Sequence, residues 1–255
     1  MIHFFTFALL LCTGICSFAR EELSIASAAD LQSVMNEIAT RFQKQSGSSV
    51  RVTFGSSGNF FAQIQNGAPF DLFFSADVEY PKKLQVAGLV EEGSLYQYAT
   101  GAIVLWTVKG SEVEVSKGLN VISDPKLKRL AIANPAHAPY GRAAEAALKN
   151  AGLWQSASSK LVLGENVSQA AQFVQSGNAD AGILALSLAL TPAMKERGNY
   201  FEIPRQLYPP LQQGGVILSH SAHKKLAAQF IGFLKSPEVK SLLKQYGFVT
   251  PEDAR

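Results

Sequence analysis

LSIASAADLQSVMNEIATRF, residues 23–42, decides the architecture. Leu23-Ser24-Ile25-Ala26 alternates as a strand does, and Leu31, Val34, Met35, Ile38 and Phe42 then recur at helical spacing. The period changes within Ser27-Ala28-Ala29-Asp30, so the stretch predicts strand, turn, helix. Gly47 closes that helix, Val50-Arg51-Val52-Thr53-Phe54 reads as a second strand, and Gly55-Ser56-Ser57-Gly58 turns into a helix carrying Phe61 and Ile64. The same unit is used twice. Asp71-Leu72-Phe73-Phe74-Ser75 is then an apolar, buried strand, followed by a helix around residues 81–87. Strands alternating with helices predict an α/β fold with a mostly parallel sheet.

Outward from this core, residues 102–108 begin a new apolar strand, and residues 130–133, 160–163 and 181–184 each border a helical run, which predicts a second α/β lobe. After Pro204 and the Tyr208-Pro209-Pro210 turn, residues 215–218 form a strand, and Leu226, Phe230, Ile231 and Leu234 mark a closing helix. The pattern alone leaves open which lobe these last elements join. No internal repeat or low-complexity run is present.

Residues 4–15 are apolar and precede the small-residue pattern Ser17-Phe18-Ala19, which reads as a secretory signal over residues 1–19 cleaved after Ala19. The run is well short of the ~20 apolar residues of a membrane-spanning helix. Ile15 before Cys16 gives no lipoprotein context. Cys12 and Cys16, the two cysteines of the chain, both lie in this leader, so disulfide and thiol chemistry are excluded from the secreted protein. The apolar residues 179–190 are too short to span a bilayer and are broken by Asp180, Gly182 and Ser187. A formal charge of +3 demands no nucleic acid and is as compatible with an ordinary soluble surface as with an anionic ligand.

Four strand-to-helix turns place small or hydroxylated residues and backbone N–H groups at helix N-termini, an arrangement that holds anions: residues 27–30, 55–58, 134–141 and 164–168. Each taken alone is an ordinary helix cap. Together, at the C-terminal ends of strands, they predict a cleft that wraps an oxyanion. Catalytic signals are weak. His137, His220 and His223 have no cysteine or paired carboxylate at metal-ligand spacing, and His220 and His223, which flank a helix start, read as two solvated polar residues rather than a metal site. No nucleophile elbow or phosphate-binding loop occurs. Asp71 and Asp77 are expected in turn and cap roles.

The stretches Ala28-Ala29-Asp30-Leu31, Phe54-Gly55-Ser56-Ser57-Gly58, residues 67–77 (GAPFDLFFSAD) and Tyr246-Gly247-Phe248 resemble the periplasmic molybdate-binding proteins of ABC importers, ModA-like type II substrate-binding proteins, over residues 23–248. That resemblance implies two lobes of mixed sheet with helices on both faces and a ligand cleft between them. Residues 20–101 plus 208–255 would form the first, discontinuous lobe and residues 102–207 the second, joined by two hinge strands. It implies a periplasmic monomer that captures molybdate, and tungstate with it, for an ABC transporter permease, with no cofactor, no separate metal site and no enzymatic activity.

On the same likeness, Ser57 supplies a hydroxyl and N–H, Tyr140 and Val167 supply N–H groups, and Asp30 stands where a serine is usual. A further tyrosine of some members falls at Ala185, so the Tyr140 phenol is a candidate replacement donor. A carboxylate facing a dianion is repelled. Three roles for Asp30 follow, with the first favoured: it caps its own helix, it accepts from a protonated oxyanion of the phosphate type, or it ligates the metal centre. The rival functions are capture of another oxyanion or a small organic anion, a secreted hydrolase pairing Ser57 with His137, and a sensor that docks on a receptor.

Overall fold

The structure is a computed structural model and describes residues 21–253; the leader reading at residues 1–19 lies outside the described residues. The chain opens with β1 (Glu22–Ala28), α1 (Gln32–Ser46), β2 (Ser49–Gly55), α2 (Ser57–Gln65), β3 (Leu72–Ser75), α3 (Glu79–Val86) and β4 (Tyr96–Gly101). It continues through β5 (Ile103–Val108), β6 (Leu130–Ala133), α4 (Pro139–Asn150), α5 (Trp154–Ser158), β7 (Leu161–Gly164), α6 (Val167–Gln175), β8 (Ala181–Ala185), α7 (Leu186–Ala189), α8 (Pro192–Arg197) and β9 (Gly198–Glu202). It closes with β10 (Leu211–Ile217), α9 (Lys224–Leu234) and α10 (Pro237–Gln245).

Two five-stranded sheets organise the described residues, in the orders β2-β1-β3-β10-β4 and β7-β6-β8-β5-β9. Within them β1 runs parallel to β2 and β3, and β6 runs parallel to β7 and β8. The strand–helix alternation predicted mostly parallel pairing, but β10 is antiparallel to both β3 and β4, and β5 is antiparallel to β8 and β9. The reason lies in the connections. Parallel neighbours are joined by covering helices, whereas β5 and β10 enter their sheets from the other sheet and so run against the local direction.

Side-chain alternation divides the first sheet's core between its two faces. Leu23, Ile25 and Phe74 pack with α1, α9 and α10, while Ala26, Phe73 and Val216 pack with α2 and α3. β3 is therefore buried along its whole length, which is why Leu72-Phe73-Phe74 reads as an unbroken apolar run. Gly47, at φ 73°, ends α1 in the left-handed conformation, freeing the chain to turn back into β2 beside β1. The chain passes between the sheets at Ala102, between β4 and β5, and again between β9 and β10. The C-terminus returns to the first sheet, with Thr100 N–H donating to the Val249 carbonyl at 2.8 Å.

Candidate functional site

Because β1 and β2 are parallel, as are β6 and β7, their C-terminal ends present four strand-to-helix turns to one cleft. All four turns singled out in the sequence meet there. Ala28, Ala29, Asp30, Gly55, Ser56, Ser57, Ala76, Ala138, Pro139, Tyr140, Asn166 and Val167 line one small, narrow cavity. Gly58 lets the walls approach: a Cβ there would lie 2.5 Å from the His137 carbonyl oxygen.

The helix caps are supplied by neighbours of the predicted site residues. Ser56 Oγ accepts from Asn59 N–H at 3.3 Å, and Asn166 Oδ1 accepts from the N–H groups of Ser168 and Gln169, both at 3.0 Å. The Ser57 N–H at the start of α2, the Tyr140 N–H in the first turn of α4 and the Val167 N–H at the start of α6 have no protein acceptor among the described residues. A helix leaves such first-turn donors over, and here they border the cavity. Ser57 Oγ accepts from Ala76 N–H at 3.0 Å, so its own hydrogen remains for a ligand. Buried and without a charged partner, Ser57 is a neutral donor.

Asp30 departs from the favoured expectation. The backbone N–H groups of Asp30 and Leu31 at the start of its own helix favour its charged form, but its side-chain hydrogen bonds are made elsewhere. Oδ2 accepts from Gln213 Nε2 at 2.7 Å and from the Tyr140 hydroxyl at 3.0 Å, while Tyr98 donates to Gln213 Oε1 at 2.9 Å. Oδ1 is buried and has no partner among the described residues. Burial pushes the carboxyl up from 3.8 to about 6, against the opposing hydrogen bonds from Gln213 and Tyr140. The candidate role of the Tyr140 phenol as a ligand donor is corrected by the same geometry: its hydrogen goes to Asp30. Burial and the Asp30 charge push that phenol well above the ordinary tyrosine range.

Ala185 ends β8 fully buried, pairs with Ile103 and does not line the cavity. His137 lies at 2.9 Å from Ser56 Oγ through Nδ1, not on Ser57, so the proposed nucleophile–base pair does not form. His223 is not merely solvated: its Nδ1 lies 3.2 Å from Asp71 Oδ1 at the opposite end of the first sheet. Asp71 also accepts from Ser24 N–H and the Ser221 hydroxyl. Asp77 takes its predicted cap role on Glu79 N–H and also reaches across the cleft to Arg142 at 2.6 Å. Sequence reasoning missed Ala76, Tyr98 and Gln213. The signal for Gln213 was faint, a polar residue inside a strand that is 0% exposed only because Tyr98, Tyr140 and Asp30 satisfy its amide.

Further contacts hold the two walls together. Gly58 N–H donates to the His137 carbonyl at 2.9 Å, Asn59 Nδ2 to Glu165 Oε1 at 3.1 Å, Ser168 Oγ to the Ala29 carbonyl at 2.9 Å and Ser187 Oγ to the Asp30 carbonyl at 2.7 Å. The cleft is closed.

Residues 23–249 match the bacterial extracellular solute-binding protein family. The molybdate-binding protein ModA of Azotobacter vinelandii is 39% identical over 233 residues, which cover 91% of this chain and 92% of that protein. The molybdate-binding protein ModA of Rhodobacter capsulatus is 38% identical over 232 residues, covering 91% and 90%. Among solved structures, the Azotobacter vinelandii periplasmic molybdate-binding protein superposes with a TM-score of 0.84 at 36% identity, covering 90% of this chain and 99% of that one.

Proposed function

We propose that this chain, which belongs to the bacterial extracellular solute-binding protein family, captures molybdate in the closed cleft and delivers it to the permease of an ABC importer. The observation that carries this reading is the convergence of the Ser57 hydroxyl with the Ser57, Tyr140 and Val167 N–H groups on one small cavity. Each of these is a fixed, neutral donor. A tetrahedral oxyanion offers acceptors in several directions and, when fully ionised, needs no acceptor in return, so this convergence of donors favours it over ligands that carry protons. Tungstate, alike in charge and shape, binds in the same way.

Binding requires no chemistry on the ligand. Residues 20–101 with 208–255, and residues 102–207, act as lobes that close about the two crossings and present the loaded form to the permease. The protein is secreted as a monomer after cleavage at Ala19. No helix among the described residues is long and apolar enough to cross a membrane. Calorimetric titration of the purified protein with molybdate, tungstate, sulfate and phosphate tests the reading. One-to-one binding of the first two with silence from the others is expected. Preference for phosphate or for an organic anion would move the function to another solute.

A further inference from the structure

Resting on the oxyanion reading, we propose that capture takes up one proton: Asp30 enters the loaded site as a neutral carboxylic acid whose Oδ1 hydroxyl donates to an oxygen of the bound anion.

Asp30 is 1% exposed and its residue lines the cavity. Its two oxygens are unequal. Oδ2 is committed as the acceptor of Tyr140 and Gln213, whereas Oδ1 is buried and has no partner among the described residues. A buried carboxylate oxygen left unpaired is costly, and a dianion brought beside it adds repulsion. Placing a proton on Oδ1 removes both penalties and turns the oxygen into the kind of donor the rest of the wall supplies.

No cation is available to do this instead. The groups packed against Asp30 are Tyr98 from β4, Tyr140 from α4, Gln213 from β10 and, at its carbonyl, Ser187 from α7. Both phenols are held neutral by burial. Arg142 is occupied by Asp77 and Tyr80, and His137 by Ser56, while the nearby carboxylate of Glu165 accepts from Asn59. Burial brings the Asp30 carboxyl to about 6, and an adjacent dianion raises its proton affinity further. The balance is simple: one proton leaves solvent for Asp30 Oδ1, the anion keeps both charges, and no bond of the ligand changes.

The test is calorimetric titration of the purified protein with molybdate from about pH 6.5 to about pH 8.5, in pairs of buffers that differ in ionisation enthalpy. The heat is expected to depend on the buffer with close to one proton taken up per molybdate, and Kd to weaken by about tenfold for each pH unit above the free carboxyl's value. Asp30→Asn supplies an amide donor that needs no proton, so its binding is expected to lose both the buffer dependence and the pH slope. A carboxylic-acid C=O band that appears in the infrared spectrum of the wild-type protein on loading gives a readout independent of any variant. Tight molybdate binding without proton uptake and without that band overturns the inference while leaving the functional reading in place, and it is the result a carboxylate ligating the metal would give. Absence of molybdate binding at every pH overturns both.

Discussion

On the proposed reading Ser57 does two things with one hydroxyl: it accepts the buried Ala76 N–H and keeps its hydrogen for the ligand. Ser57→Ala therefore has two separable effects. Loss of a hydrogen bond to a charged ligand weakens molybdate binding by about 10- to 100-fold, read by titration. The stranded Ala76 N–H lowers stability by about 1–3 kcal/mol, read by denaturant unfolding. A variant that loses stability but binds as tightly as wild type would remove Ser57 from the site. Asp30 carries a prediction of the opposite sign. Its folded value of about 6 lies above the 3.8 of an unperturbed carboxyl, so the folded state holds the proton more tightly. Stability accordingly falls as pH rises from about 4 to about 6, and the penalty is complete above that window. Asp30→Asn removes it, so the variant without ligand is expected to be the more stable protein near pH 8, by up to on the order of 3 kcal/mol, with the advantage gone near pH 4. Equal unfolding midpoints at both pH values would show that burial does not burden this carboxyl.

The elements that position these residues were unequally legible. The period change at Ser27–Asp30 and the Gly-Ser-Ser-Gly turn announced the ends of β1 and β2 because Leu23 and Ile25, then Val34, Ile38 and Phe42, follow one face at a time. β9 gave no such pattern, since an edge strand with Asn199, Tyr200 and Glu202 in solvent has little apolar periodicity. β4 was masked by the polar tips of Tyr96 and Gln97, and the first half of β10 by Gln212 and Gln213. α10 was missed despite a usable signal, the Ser236 cap on Val239 N–H with Pro237 at the first helical position. Asp30's partners were beyond reach of local pattern, because Gln213 stands 183 residues away along the chain. α2 meets the opposite wall at Gly58, and there an element-level test is available. In Gly58→Ala the new Cβ meets the His137 carbonyl at 2.5 Å across the cleft and, on its own side, the Tyr80 hydroxyl at 2.9 Å. Molybdate binding weakened by more than any shift in the unfolding midpoint accounts for is expected. Unimpaired binding would mean that the two walls need not approach this closely.

At the scale of the whole molecule, two sheets of mixed direction are joined by two crossings, and the cavity lies where four helices aim their first turns at one point. The chain's formal charge of +3 does not select the ligand, because the wall itself contributes donors rather than cations. On the proposed reading enclosure does the selecting, and it requires both sheets at once: Ser57 comes from the first, Tyr140 and Val167 from the segment built on the second. The most direct test is to crystallise the protein with molybdate and locate the metal by its anomalous scattering. A single molybdenum in the cavity, its oxygens within hydrogen-bonding distance of the Ser57 hydroxyl and the Tyr140 and Val167 N–H groups, is the predicted result. Molybdenum bound elsewhere, as beside His220 and His223 at the far end of the first sheet, with the cavity holding none, would contradict it.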